Sequence, residues 1–200
     1  MTRRHTTLCC LFLGILVFAG TGHGAPAVSA EPTNFEEVFA KAKTGDVPAM
    51  LALARSYELR APIRVPINFE ESYRWYYKVA LTGHPESQYR VGSSLVKKLF
   101  PSSEKNKKQA SMDEGLGWLT KAAKQGYADA YEPLGDVHKE GKYVGRDLVA
   151  AYKWYHLSVL KTKYALGSER KRNELSKKLT AAQLIRAKID ADIHLNLMMK

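Results

Sequence analysis

The chain has 200 residues, which is enough for one domain or a short repeat array. Its formal net charge is +11, so anionic surfaces attract it, and its two cysteines are adjacent at Cys9 and Cys10. If the first residues are removed as a targeting segment, both cysteines leave with them. The mature chain then has no thiol, which excludes disulfides and thiol catalysis.

Residues 1–30 have the form of a secretory signal peptide. A basic start is followed by an apolar run from Leu8 to Phe18 and by small residues up to Ala30. The run is about half as long as the roughly 20 residues that a membrane-spanning helix needs. We therefore expect cleavage after Ala30 and a mature domain over residues 31–200, periplasmic or secreted, with no stable membrane span. Loss of two arginines lowers its net charge to +9, and export disfavours nucleic acid as a partner.

Three glycines indicate an internal repeat. Gly45, Gly83 and Gly126 are 38 and 43 residues apart. Each precedes a small residue by four positions and an apolar residue by eight, and these offsets fall on one face of a helix. Glycine suits the turn before each helix because it adopts a left-handed backbone without steric cost. The small and apolar pairs are Ala49 with Leu53, Ser87 with Val91, and Ala130 with Leu134.

A helix that carries a tryptophan is expected before each turn. Two tryptophans lie eight residues before a repeat glycine, and the third lies thirteen residues before Gly167. Seven residues before each tryptophan is a side chain that can cap a helix, and two of these caps have the glutamate of a capping box. Each unit is thus predicted to be an antiparallel pair of helices. The tryptophans are Trp75, Trp118 and Trp154, and the caps are Asn68 (with Glu71), Ser111 (with Glu114) and Asp147.

These units resemble the Sel-one-like repeat (SLR), a relative of the tetratricopeptide repeat. The resemblance covers about residues 35–197. It implies an all-α, right-handed α-solenoid of stacked antiparallel αα-hairpins, with about three repeats plus N- and C-terminal capping helices. The residues of the most similar unit are Ala130, Leu134, Gly135, His138, Gly141, Val144, Asp147, Ala151, Trp154 and Tyr155, with His138 at a position where tyrosine is usual.

Three segments depart from the repeat. Residues 60–66 contain two prolines, which predict an extended link. The lysine-rich segment 97–111 is interpreted as a mobile loop. Gly167 is expected to form the last turn, and the charged residues after it indicate a terminal cap without the small inner residue, before a closing helix that starts near Leu175. Stacked hairpins should bury Leu53, Tyr57, Trp75, Val91, Leu95, Trp118, Leu134, Trp154 and Leu157.

No motif in the sequence predicts catalysis, a cofactor or a metal site. Lys43-Thr44-Gly45 and Ser102-Ser103-Glu104-Lys105 look like fragments of penicillin-recognising serine enzymes, but they occur in the wrong order and context. The four histidines of the mature chain lack the spacing of helical metal ligands. Tryptophans at repeat positions are more often packing residues than a sugar-stacking platform.

The remaining candidate site is a surface. By the resemblance to tetratricopeptide-like solenoids, the first helix of each hairpin lines the concave side. If Leu53, Val91 and Leu134 mark the inner side of these helices, nine outward residues would line a groove for a peptide or glycan. Charged and polar residues of this kind more often form an ordinary solvated helix surface. The nine residues are Arg55, Glu58, Glu86, Tyr89, Ser93, Asp129, Glu132, Asp136 and Lys139.

The resemblance implies a non-catalytic scaffold that binds an unidentified protein or peptide partner in the cell envelope. The alternative is a module that binds cell-envelope glycan or peptidoglycan, including an anionic glycan. A hydrolase acting on β-lactams or peptidoglycan is the third reading, and no catalytic constellation in the sequence supports it.

Overall fold

The chain folds as a run of helices, each packed against its neighbours in the sequence. The computed structural model describes residues 35–60, 62–97, 105–141 and 144–198, and at 105–110 it describes the backbone alone. Within these ranges the α-helices are α1 Phe35–Lys43, α2 Val47–Leu59, α3 Phe69–Leu81, α4 Pro85–Val96, α5 Lys105–Lys124, α6 Tyr131–Glu140, α7 Leu148–Lys161, α8 Leu166–Ser176 and α9 Ala181–Met198, with a 3-10 turn at Ala128–Ala130.

The all-α solenoid predicted from the repeat is confirmed in the described residues, which contain helices and no strand. Consecutive helices from α1 to α8 pack pairwise, and the described residues belong to one compact unit. The predicted signal segment, residues 1–30, lies outside the described residues. No helix that the structure describes is both long enough and apolar enough to span a membrane.

Helix starts follow the predicted caps at two of three positions. The Asn68 side chain accepts hydrogen bonds from the backbone N–H groups of Glu70 and Glu71, and Asp147 caps α7 in the same way. The return bond of a capping box does not form at Asn68, because its own N–H donates to the Tyr57 carbonyl at 2.9 Å. The Asn68 cap therefore also ties α3 to the helix before it.

That tie recurs in the third repeat, where the Asp147 N–H donates to the His138 carbonyl at 3.0 Å. Tyr57 and His138 both lie twelve residues after their repeat glycines, so they are equivalent positions. The contact uses the backbone carbonyl, which every residue type supplies. This explains why histidine can replace the usual tyrosine at His138 without loss of the link.

The prediction for the segment around Ser111 is wrong. Ser111 lies inside α5, which begins at Lys105, so it cannot be an N-cap, and residues 105–111 are helical instead of a loop. Lysine, glutamine and alanine are good helix formers, and their polarity alone led to the loop interpretation. The rest of the predicted loop, residues 98–104, lies outside the described residues.

Three of the four predicted glycine turns are confirmed. Gly45, Gly83 and Gly126 have φ of 94°, 94° and 80°, in the left-handed region. Gly167 lies in the first turn of α8 instead, so its prediction as the last turn is wrong. The small inner residue is also present there: it is Ser168, which is fully buried and lies 38 residues after Ala130.

The link between α2 and α3 is not helical, as its prolines predict. α2 ends at Leu59, and Arg60 adopts a left-handed conformation with φ of 57°. The Ile63 side chain is buried, and its backbone N–H donates to the Ser56 hydroxyl at 3.0 Å. An apolar anchor and a buried hydrogen bond thus hold the link against the core.

The tryptophans pack between helices, as predicted. Trp75, Trp118 and Trp154 are only 5–7% exposed. Their rings meet those of Phe39, Tyr77 and Tyr131 at centroid distances of 6.1, 5.9 and 5.9 Å. Of the nine residues expected in the core, the three tryptophans, Leu53, Val91, Leu134 and Leu157 are buried, and Tyr57 and Leu95 are partly buried.

Glycines inside helices allow two close contacts. A Cβ added at Gly92 in α4 would lie 2.8 Å from the carbonyl oxygen of Gly115 in α5. A Cβ at Gly135 in α6 would lie 2.6 Å from the ring of Tyr155 in α7. Both positions are buried, so any larger side chain there must push its helix away from the next one.

The last helix, α9, folds back on α7. Its fully buried Ala187 and Ala191 bring the two helices close together. His194 contacts the rings of Trp154 and Tyr131 edge-on, and it donates from Nε2 to the Ala123 carbonyl oxygen at 3.1 Å. α9 therefore closes the apolar surface that α7 would otherwise expose.

Three histidines are expected to make the protein sensitive to acid. Burial lowers the pKa of His138, His156 and His194 below the ordinary value of 6.5. The unfolded chain then binds these protons more readily, so the stability that they contribute is full above pH 6.5 and is lost as the pH falls through the lowered values. We expect the urea midpoint to fall between about pH 7 and about pH 5.

The matched variant is His194→Gln, which keeps a donor for the Ala123 carbonyl but does not titrate. Its urea midpoint should fall less over the same pH interval than that of the unchanged protein. An equal fall in both proteins would contradict a contribution of His194 to the acid sensitivity.

Candidate functional site

The nine predicted surface residues lie on alternate elements of the array. Arg55 and Glu58 are on α2; Glu86, Tyr89 and Ser93 are on α4; Asp129 is in the 3-10 turn; and Glu132, Asp136 and Lys139 are on α6. Eight of them are exposed or partly exposed. Ser93 is buried, so the expectation that it points outward is wrong, because its short side chain does not extend past its neighbours.

Ion pairs join α2 to α4 across this face. The Arg55 guanidinium lies 2.6 Å from Glu86, and the Arg90 guanidinium lies 2.9 Å from Glu58. The Tyr76 hydroxyl, from α3, donates to the second oxygen of Glu58 at 3.3 Å. Burial raises the pKa of Tyr76 to about 12 although the Arg90 charge lowers it, so this hydroxyl remains a donor at neutral pH.

A second set of ion pairs joins α6 to α8. The Lys171 ammonium donates to Glu132 and to Asp136, both at 2.7 Å, and Lys139 lies 3.5 Å from Glu174. Burial alone would lower the pKa of Lys171, but the hydrogen bonds to the two carboxylates outweigh it and raise the pKa. Lys171 is therefore held as a cation between two acids that the sequence assigned to the free surface.

Tyr155 of α7 also bonds to one of these two acids. Its hydroxyl donates to Asp136 at 2.7 Å. Burial, followed by that hydrogen bond to a carboxylate, raises the pKa of Tyr155. Asp136 is thus held by a tyrosine and a lysine together, and it positions α6, α7 and α8 relative to one another.

Between α4 and α6 the arrangement changes. No ion pair between described residues joins these two helices, and the rings of Tyr89 and Tyr127 meet instead at 5.3 Å. Two cavities of about 190 and 320 Å³ open here and share Lys97, Pro133 and Asp136. We call this region the α4/α6 opening, lined by Tyr89, Lys97, Asp129, Glu132, Pro133, Asp136, Glu140 and Tyr164.

The α4/α6 opening is locally acidic in a basic protein. Four carboxylates and one lysine are among its lining residues, and Lys171 already pairs with two of these carboxylates, so two acids remain outside any ion pair between described residues. Asp129 is exposed, and no ion pair engages it within the described residues. Burial, followed by the charge of Asp129, raises the pKa of Tyr127 to about 12, so the tyrosine beside Tyr89 stays neutral. The opening therefore favours a cationic ligand group over an anionic one.

Sequence reasoning missed four residues of this face: Arg90, Tyr127, Tyr164 and Lys171. A signal existed for two of them. Arg90 lies three residues after the small residue Ser87, and Lys171 lies three residues after the small residue Ser168. The two cations are therefore equivalent positions in α4 and α8, and each pairs with acids of the preceding repeat.

The described residues contain no group of His, Cys, Asp and Glu arranged to hold a metal ion. Thr44 and Gly45 form the turn after α1, where the Thr44 hydroxyl donates to the Lys41 carbonyl at 2.8 Å. This is a helix terminus and not the strand on which penicillin-recognising enzymes carry such a motif. Ser102 and Ser103 lie outside the described residues.

The solved structures that are similar to this chain include the following three. A Sel1 repeat protein from Oxalobacter formigenes is 22% identical, with 70% of this chain and 96% of that chain covered and a TM-score of 0.52. A protective antigen of uropathogenic Escherichia coli with an SLR fold is 24% identical, with coverages of 82% and 41% and a TM-score of 0.49. An immunity protein from Pseudomonas aeruginosa is 19% identical, with coverages of 79% and 75% and a TM-score of 0.31.

The first of these likenesses shows the fold alone, because its sequence identity is low. Among curated proteins, none matches the sequence. The Sel1 repeat family model matches residues 47–84, 85–127 and 128–161, which together are more than half of the chain. Each matched unit contains a small inner residue at the start of its first helix or in the turn before it, followed by one helix with a buried tryptophan. The chain belongs to the Sel1 repeat family.

Proposed function

We propose that this protein is an exported, non-catalytic scaffold that holds a peptide segment of another protein at the α4/α6 opening. Sel1 repeats generally mediate protein–protein interaction. The observation that carries the proposal is the interruption of the ion pairs at one junction. Ion pairs within the chain join α2 to α4 and α6 to α8, whereas the α4/α6 opening presents cavities and the carboxylate of Asp129, which no ion pair between described residues engages.

The chemistry of the opening favours a segment with a lysine or arginine. Its cationic head would meet Asp129, and its aliphatic stem would lie along the ring of Tyr89. Arginine has the stronger case because it pairs with a carboxylate in two hydrogen bonds and stacks on aromatic rings. The α4/α6 opening would thereby select a basic segment even though the protein as a whole is basic.

Export rests on the signal segment at residues 1–30 and carries the envelope part of the proposal. A periplasmic or secreted scaffold would meet partners of the cell envelope. Sequencing the N-terminus of the protein recovered from its native compartment tests this part. A mature start at Glu31 supports it, and recovery of the uncut chain in the cytoplasm would contradict it.

The binding site is tested by a photoreactive amino acid placed at Asp129, with Glu169 as the control position. Glu169 is also exposed and acidic, but it lies on α8 outside the α4/α6 opening. Crosslinking in the native envelope followed by mass spectrometry should give a protein adduct from position 129 only. Equal adducts from both positions, or none, would contradict the proposed site.

The same pair of positions gives a quantitative prediction. Asp129→Asn should weaken capture of the crosslinked partner by about tenfold, which corresponds to the roughly 1.4 kcal/mol of a charge-assisted hydrogen bond. Glu169→Gln removes the same charge and should leave capture unchanged. Pulldown over a range of partner concentrations measures both. Equal loss in the two variants would indicate a general charge effect and contradict the α4/α6 opening as the site.

The alternative function is binding to cell-envelope glycan or peptidoglycan. The observation that favours it is the side chain of Tyr164, which is 80% exposed at the edge of the same cavity and offers a ring on which a sugar can stack. An anionic glycan would meet repulsion from the acidic lining. Sedimentation with intact sacculi separates the two functions, and acylation by a labelled β-lactam would support the hydrolase reading instead.

A further inference from the structure

The outer face of α9 is apolar, although much of it is exposed to solvent. Ile185, Ile189, Ile193 and Leu197 recur every four residues along it, and each is 49–67% exposed. The opposite face of the same helix carries the buried Ala187 and Ala191 that pack on α7. α9 is thus apolar on two faces, and one of them is largely exposed. We call the four exposed residues the α9 stripe.

Charges border the α9 stripe in an ordered way. Arg186 and Asp190 lie along one side of it, and Lys188 and Asp192 lie along the other. On both sides the cation comes first in the chain and the anion follows four residues later. Each border is therefore positive toward the start of the helix and negative toward its end.

We propose that the α9 stripe is a self-association surface on which two copies of this chain pack antiparallel, with the two-fold axis at Ile189. This proposal goes beyond the proposed function and does not depend on it. A two-fold axis that reverses the helix direction places each border against the same border of the other copy. Ile189 then meets the partner's Ile189, and Ile185 meets the partner's Ile193.

The antiparallel arrangement makes the charges complementary. Arg186 lies beside the partner's Asp190, and Lys188 lies beside the partner's Asp192. Each pair is offset by about 3 Å along the helix, from a rise of about 1.5 Å per residue, which is within reach of arginine and lysine side chains. All four charges at the stripe on each copy are matched by an opposite charge.

A parallel arrangement would place like charges beside each other. It would place unlike borders together, so that Arg186 lies beside the partner's Lys188 and Asp190 lies beside the partner's Asp192. Like charges at such separations are repulsive. The order of charges along α9 thus distinguishes the two ways in which the stripe can be covered by a second copy.

The ion pair within α9 is weak, so it opposes pairing with the charges of a second copy only slightly. Arg186 and Asp190 approach to 3.3 Å within one helix, and the arginine side chain is 74% exposed. Such an exposed pair contributes about 1 kcal/mol or less. A single helix stripe also buries less than the roughly 800 Å² per partner of a standard interface. We therefore expect a weak dimer that forms in the micromolar range or above.

Sedimentation velocity on the full chain over a series of concentrations tests the proposal. The unchanged protein should pass from monomer to dimer as the concentration rises. Ile189→Glu, which places two carboxylates at the axis, should raise the apparent dissociation constant at least tenfold. Leu81→Glu is the matched control, because Leu81 is 64% exposed on α3, and it should leave the constant unchanged.

A charge exchange tests the direction of packing. Arg186→Glu with Asp192→Lys makes the first border acidic and the second basic, and Asp190→Lys with Lys188→Glu makes the first border basic and the second acidic, so that antiparallel packing sets like charges together in each variant and parallel packing would set unlike charges together. Each double variant should be monomeric alone, and an equal mixture of the two should recover dimers. Dimers in either variant alone, or no recovery in the mixture, would overturn the antiparallel pairing.

Three other results would overturn the surface itself. They are a monomer at every concentration, dimers that survive Ile189→Glu, and equal loss in Leu81→Glu. Because every variant retains the apolar run of residues 8–18, association through that run would appear as survival of the dimer in Ile189→Glu. Circular dichroism of each variant checks that the helices are retained.

Discussion

Trp154→Ala is expected to lower the free energy of unfolding by about 3–5 kcal/mol, the range for truncation of a large buried aromatic residue. Trp154 stacks on Tyr131 of α6 at 5.9 Å and meets His194 of α9 edge-on at 5.2 Å. The ammonium of Lys153 also lies 4.0 Å from its ring centroid. Removing the indole therefore loosens three helices together, and urea unfolding followed by circular dichroism measures the loss.

Tyr164→Ala is the control for this loss. Tyr164 is 80% exposed, so its removal should change stability by no more than about 0.5 kcal/mol. In a stacked array each repeat contacts only its neighbours, so Trp154→Ala should also shift unfolding of the C-terminal helices before that of α1–α4. Hydrogen exchange resolves the two halves, and a uniform loss of protection would contradict this order.

Gly92→Ala and Gly117→Ala are expected to change stability in opposite directions. Both glycines are inside helices, where alanine is favoured by about 1 kcal/mol. At Gly92 the new Cβ would lie 2.8 Å from the Gly115 carbonyl oxygen and 2.9 Å from the Leu119 nitrogen, and these backbone atoms cannot move alone. We expect Gly92→Ala to destabilise the protein by about 1–3 kcal/mol, as overpacking in a core does.

Gly117 is on the exposed side of α5, and a Cβ there meets nothing within 4 Å. Gly117→Ala should therefore stabilise the protein by about 0.5–1 kcal/mol through helix propensity. Both variants carry the same substitution, so the difference between their stabilities measures the effect of close helix packing apart from helix propensity. Stabilisation by both variants in thermal unfolding would mean that α4 and α5 are not held close at Gly92.

The repeats could be predicted from sequence because their signal is local. The signal comes from one turn and one helix face. The turn needs a glycine with positive φ, and the helix face needs a small residue four positions later and an apolar residue four positions after that. The same logic extends to Ser168 in α8, which was missed because the search was tied to glycine. Tyr164 stands four residues before Ser168, where the other units have glycine. The small buried residue thus occurs in more units than the turn glycine, and it is the more reliable marker of the repeat.

The candidate site could be predicted only in part, because it depends on distances between helices. The sequence placed Glu132 and Asp136 on the correct helix face. It could not show that Lys171, which lies 39 and 35 residues further along the chain, reaches both of them. Charge alone also did not distinguish acids that are already paired from Asp129. Whether an acid is paired depends on how consecutive repeats pack against each other.

The composition of α8 distinguishes the last hairpin from the three repeats before it. Leu53, Val91 and Leu134 each follow the small residue of their helix by four positions, and Arg172 holds that place after Ser168. The Arg172 side chain is only 20% exposed, and its guanidinium lies 3.7 Å from Glu169 of the same helix. A partly covered charge thus takes the place of the apolar residue on which the three repeats pack, so the last hairpin has a more hydrated interior than the units before it.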